Sequence, residues 1–285
     1  MQACEKRGVD FTSKSTLLWS MICAPLRTTV SEVSPFEAWH RHFLEQKAAA
    51  GAFPWAACDR LSAAERRLVS RSIQQFHLGE WARGRGLVRR ASAHPALRTD
   101  SWFLPALKLF IAEEQDHSAI LGRFLDRERI PRLTNHWLDA VFRRLRRLAG
   151  LELCATVLVT AEVLAIPFYQ ALRDATRSQL LRAICVRVLC DEAAHLRFQA
   201  VTLGLVRRPL GRRARMIRAL GHAILFRGTA WLLWQQHGRV FRSAGWDVHR
   251  YWSDAMGEFA RLELRIRQVS EDRRALDSSD GRRLD

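Results

Sequence analysis

Four glutamates and two histidines recur in this chain at spacings that could hold a pair of metal ions. Glu114 and His117 form one Glu-x-x-His step, and Glu192 and His195 form a second. Each step follows a lone glutamate, Glu80 by 34 positions and Glu162 by 30. On an α-helix, residues three apart share a face, so the two members of each step can reach one layer together. Four carboxylates with two imidazoles form the ligand set of a dinuclear iron or manganese centre in the core of a four-helix bundle. A third match, Glu37 to His40, has no counterpart glutamate at the right distance and reads as chance on an N-terminal helix.

These side chains meet only if the chain folds back between them. The midpoint from Glu80 to Glu114 falls at the turn signal His94-Pro95, and that from Glu162 to Glu192 falls at Arg177 in the polar stretch 173–178. Two antiparallel helix pairs, each arm running roughly 22–25 Å from turn to metal layer, would bring all four glutamates to one level. The pairs are separated by 45 positions from His117 to Glu162, room for a long crossover with its own helix. Glu162 argues separately for a cation. It is the only charge in residues 153–168, a stretch apolar on nearly every side and therefore predicted to be buried. A buried carboxylate must protonate, find a cation or bind metal, and the stretch contains no Lys or Arg.

The predicted elements are all helical. A helix starts after Ser34-Pro35 and ends near Gly51; bundle helices cover about 62–90, 100–127, 151–173 and 178–206. A crossover helix follows Thr134-Asn135, and Pro167 should kink the third bundle helix. Two tryptophan-bearing helices, near 212–237 and 248–268, pack outside the bundle or at a homodimer interface. Residues 1–34 read as a poorly ordered arm, 35–268 as one domain and 269–285 as a disordered tail.

Composition frames this reading. The six cysteines show no metal or disulfide spacing, which fits a reduced, cytoplasmic protein. The apolar run 16–25 is short for a signal peptide and has Glu5 and Asp10 upstream. No uninterrupted apolar segment reaches the length of a membrane span, since Glu152 and Glu162 break the best candidate. The net charge of +17 is mostly arginine, clustered in 83–98, 143–147 and 207–218. Such a field attracts an acyl carrier protein, nucleic acid, an acidic membrane or an anionic substrate, and charge alone does not choose among them.

At Glu80, Glu114-Gln115-Asp116-His117, Glu162 and Asp191-Glu192-Ala193-Ala194-His195 the chain resembles the ferritin-like di-iron carboxylate superfamily, over residues 62–206. That group includes acyl-carrier-protein desaturases, arylamine N-oxygenases, tRNA hydroxylases, ribonucleotide reductase small subunits, rubrerythrins and ferritins. The resemblance implies a ferritin-like four-helix bundle with a long crossover. It implies Glu80 and Glu162 as singly contributed carboxylates, Glu114 and Glu192 as bridges, and His117 and His195 as one ligand to each metal. Asp191 would orient His117 from the facing helix, and Glu113 would do the same for His195. The chain departs from the pattern at Val188, where arylamine N-oxygenases carry a third histidine. It departs again at Ala165 and Ile166, where many oxygenases and the desaturases carry a threonine.

The expected function is an O2-dependent di-iron oxidase or oxygenase that hydroxylates, desaturates or N-oxidises an organic molecule. The cofactors are two Fe, or a Mn/Fe pair, with O2 as co-substrate. An external electron donor is expected, because no flavin, nucleotide or iron–sulfur motif is present. Partners would be a small-molecule or carrier-bound substrate, a redox protein and an anionic partner such as acyl carrier protein or RNA. Gly84, Ala165 and Ser118 could leave substrate room beside the metals. His77 reads as a satisfied core histidine and Tyr169 as ordinary packing rather than a redox relay. The alternatives are a ferroxidase or peroxide scavenger, and a metal-free helical binding module.

Overall fold

The computed structural model describes residues 34–49, 51, 53–56, 59–80, 84–137, 141, 144 and 150–272. Within these the chain is all-α and builds a helical bundle. In chain order the helices are α1 (Pro35–Ala49), α2 (Ala63–Glu80), α3 (Arg85–Ser92), α4 (Phe103–Arg127), α5 (Leu151–Ala175), α6 (Gln179–Arg207), α7 (Arg212–Ser243) and α8 (Val248–Glu271). The predicted arm and most of the tail lie outside the described residues, as does most of the predicted crossover helix. The last helix continues to Glu271.

Helices α2, α4, α5 and α6 carry the candidate ligands. α2 packs on α4, α5 on α6, and α4 on α6. The α5–α6 connection is only three residues long, so the two helices run antiparallel as neighbours. Its chemistry is local. Ser178 caps α6 by accepting from the Leu181 N–H at 3.3 Å, and Thr176 Oγ1 accepts from the Ser178 N–H at 3.2 Å. Ser62 and Glu65 form a capping box at the start of α2. Glu65 also accepts from the Arg177 N–H at 2.8 Å, which fastens that start to the α5–α6 turn.

Two boundaries differ from the predicted ones. The helix expected over 62–90 is two helices, because Gly84 between them adopts φ +62°, a left-handed conformation that an α-helix cannot contain. A Cβ there would also stand 2.6 Å from Ile111. α4 starts at Phe103 rather than Asp100, because residues 95–99 still turn. Asp100 instead caps from outside, its carboxylate accepting from the Trp102 N–H at 2.9 Å. Pro167 lies inside α5, which runs on to Ala175.

α5 is long and apolar enough to cross a membrane, Glu152 and Glu162 notwithstanding, but 78% of its most apolar window is buried inside the bundle. It is the central core helix. α1 lies against α4 through an aromatic cluster in which Phe36, Trp39 and Phe43 meet Phe103, Phe110 and Phe198. Phe36 and Phe103 are 4.7 Å apart between ring centroids, and Phe43 and Phe198 are 5.4 Å apart. α7 packs on α5 and α2, and α8 on α6, α5 and α7. The close approach of α8 to α6 needs Gly204, whose missing Cβ would sit 2.5 Å from Val269.

Candidate metal centre

Six side chains from four helices converge inside the bundle. Ligand atoms of Glu80, Glu114, His117 and Glu192 lie within 4.8 Å of one another, and those of Glu162, Glu192 and His195 form a second group by the same measure. Glu192 belongs to both groups. Glu114 also reaches both, since its Oε1 lies 2.8 Å from His195 Nδ1. That pair lacks the alignment of a hydrogen bond, and each atom is without a hydrogen-bond partner. Two ligands to one cation sit about this far apart when each is ~2.1 Å from it at right angles. Buried Glu and His clusters of this kind could hold metal ions.

Each position follows from its helix. Glu114 and His117 share a face of α4, and Glu192 and His195 share a face of α6, so the two faces meet across the α4–α6 contact. The imidazole rings are 5.6 Å apart between centroids. Glu162 projects from the buried α5. Glu80 is the last residue of α2 and only half-buried.

The outer contacts form a reciprocal pattern. His117 Nε2–H donates to Asp191 at 3.0 Å, and His195 Nε2–H donates to Glu113 at 2.9 Å. Each acid stands directly before the Glu of its own helix and holds the histidine of the other. With both Nε2 atoms so engaged, both Nδ1 atoms face the cluster and neither has a hydrogen-bond partner. Oxygens of Glu113, Glu114, Glu162 and Glu192 are buried and unpartnered as well. Fixing the outer nitrogen sets the tautomer that presents a lone pair inward.

Three residues belong to this arrangement that sequence reasoning passed over or misread. Gln199, one turn beyond His195, donates to Glu162. Arg187, one turn before Asp191, donates to it at 2.6 Å. Tyr169 does more than pack: its hydroxyl donates to Glu80 at 3.3 Å. His77 is satisfied by the Ser118 carbonyl at 3.0 Å. That contact fills the space expected beside Ser118, and Ile111 fills the space beside Gly84. Gly84 therefore opens no substrate room. A cavity of about 20 Å³ is lined by apolar side chains that include Leu107, Phe110, Leu158 and Phe198, and by Gln199. Glu37 and His40 lie away from the cluster, Glu37 paired with Arg41 on the surface and His40 beside Trp102.

The electrostatics show the strain of this much buried charge. Burial, then repulsion from Glu114 and Glu192, holds the Glu80 and Glu162 carboxyls well above the usual carboxylate range. Burial raises Glu192 too. For Glu114 the upward push of burial is outweighed by His195, and the group sits low. Burial would lower both histidines. Asp191 instead raises His117, and Glu113 with Glu114 and Glu192 carries His195 well above the ordinary value. Arg187 is bonded to Asp191. Six carboxylates in the cluster and its surround outnumber Arg187 and two protonated imidazoles by three. Protons or metal cations must supply the difference. An oxygen-rich set with two imidazoles is a donor set for divalent metal ions.

No protein-family model matches the chain, and neither does any curated protein or solved structure.

Proposed function

We propose that Glu80, Glu114, His117, Glu162, Glu192 and His195 hold two cations, both iron or one manganese and one iron, within a ferritin-like bundle. On this reading the chain is an O2-dependent oxidase or oxygenase. The observation that carries it is the pair of buried, unpartnered Nδ1 atoms aimed at unpartnered carboxylate oxygens, with both Nε2 atoms held from outside by acids. A metal pair in such a set would supply redox chemistry toward O2, with open coordination positions for it.

The chain's own residues would do the positioning. Asp191 and Glu113 fix the imidazole tautomers, Gln199 orients Glu162, and Tyr169 orients Glu80. Phe110 sets its edge against His195 at 4.7 Å, and Phe43 and Phe198 continue an apolar wall that excludes water. Electrons would come from a separate redox partner, and the organic substrate would be small or carrier-bound.

One observation favours a second reading. A cavity of about 20 Å³ holds roughly a single water molecule and no organic substrate. That size suits a ferroxidase or peroxide scavenger, whose reactants are ions and O2 or H2O2. Anaerobic loading with Fe(II), followed by mixing with O2 and measurement of O2 consumed per iron, separates the readings. Uptake that continues with an added reductant and an organic acceptor supports oxygenase chemistry. Uptake that stops once the iron is oxidised supports the ferroxidase. Failure to bind iron at all removes both.

A further inference from the structure

We propose that the outer face of α7 rests on an anionic lipid surface. α7 carries two adjoining apolar arcs whose centres lie about 120° apart, and only one of them is used inside the protein. His222, Phe226, Ala230, Leu233, His237 and Phe241 form the buried side. On the other side Met216, Ile217, Leu220, Ile224 and Trp231 keep between 52% and 69% of their surfaces in water. At 3.6 residues per turn these five fall within an arc of about 100°, in a ridge roughly 22 Å long. Contiguous exposed apolar surface of this kind marks an interaction site.

The charge on the helix selects the occupant. α7 contains seven arginines and no Asp or Glu in its 32 residues. Arg213 and Arg227 lie on the arc of the ridge, and Arg212 stands about 40° beyond its edge. Arg218 shares Glu152 at 3.5 Å, whereas Arg212, Arg213 and Arg227 make no ion pair among the described residues. A second copy of the chain would set these arginines against one another on a protein that already carries +17. A peptide partner would need a groove, and this face is a convex ridge. A helix with an apolar stripe, a tryptophan and flanking arginines fits the interface of a bilayer with acidic headgroups, lying in its plane without crossing it.

Co-sedimentation of the full chain with vesicles tests the assignment. The wild type should bind equimolar phosphatidylcholine–phosphatidylglycerol vesicles, ignore pure phosphatidylcholine vesicles, and release as salt rises. Ile217→Asn with Ile224→Asn preserves the charge and should cut binding by about tenfold or more. Arg213→Gln with Arg227→Gln should cut it by about thirtyfold. All four side chains are exposed, so thermal melts should match the wild type, which separates lost binding from lost fold. The proposal is overturned if the wild type ignores the mixed vesicles. It is overturned equally if the Asn variant binds them as well as the wild type does, since general basicity would then explain the attraction. A wild-type dimer that salt strengthens and the Asn variant abolishes would instead assign the ridge to a second copy.

Discussion

Two buried groups of acids and histidines lie along α5, and they are closed in different ways. In the outer one, Arg207 reaches Glu152 at 3.0 Å and Glu263 at 3.6 Å, and His222 bridges Glu263 at 2.5 Å and Thr160 at 3.1 Å. Arg218 adds a second cation to Glu152. Protein groups satisfy both nitrogens of His222. In the inner one, around Glu192, both histidines have a nitrogen without a partner, and carboxylate oxygens stand beside those nitrogens unsatisfied. The same residue types thus make a finished structural network in one place and an incomplete one in the other. The difference is where the chain's cation sits: Arg207 lies between the acids of the outer group, whereas in the inner one Arg187 is bonded to the outlying Asp191.

The largest expected effect breaks the outer network. Arg207→Met removes the buried cation that Glu152 and Glu263 share, and should lower stability by about 3 kcal/mol whether or not metal is added, as measured by denaturant unfolding. A loss that added Fe(II) or Mn(II) restores would erase the distinction between the two clusters.

The next prediction concerns the inner cluster without metal. Glu80, Glu162 and Glu192 have folded pKa values above their unfolded ones, as do His117 and His195. The fold therefore binds more protons than the unfolded chain at neutral pH, and stability from these groups is lost as pH rises through the folded values. Glu114 and Asp191, held low, act in the opposite sense, but only in acid near the usual carboxylate range. His237, His42 and His77, lowered by burial, oppose this below about pH 6.5, so the melting temperature of metal-free protein should fall between roughly pH 7 and pH 9. Bound metal should reverse the trend, because its ligands must be deprotonated. A metal-free melting temperature that climbs across that window would contradict this account of the charge.

The smallest effect sharpens the roles of the outer acids. Asp191→Asn should weaken metal binding by about 10–100-fold in a chelator competition, with the helical content unchanged. Affinity equal to wild type would reduce Asp191 to a partner of Arg187.

Much of this was legible in the sequence because its signals are local. Spacing of three put Glu and His on one face, and Ser62 with Glu65 announced the start of α2. Gln199 and Arg187 each lie one turn from a motif residue, but Gln and Arg at that spacing are equally common on solvated helix faces, and only the packed bundle shows what they bond. The break at Gly84 had a cue in Gly79, Gly84 and Gly86, but helical periodicity on both sides masked it. The outer network had no local cue at all, since Glu152 and Arg207 are 55 positions apart and only the bundle joins them. The exposed ridge of α7 was hidden for another reason. Its residues continue the buried arc of the same helix, so from sequence the two look like one broad buried face.

Metal content per chain tests the central claim most directly. After anaerobic incubation with Fe(II) and desalting, the wild type and Glu37→Ala should each retain about two irons, and Glu192→Ala should lose the pair. Fewer than about 0.3 irons in the wild type, or equal loading of the wild type and Glu192→Ala, would contradict it.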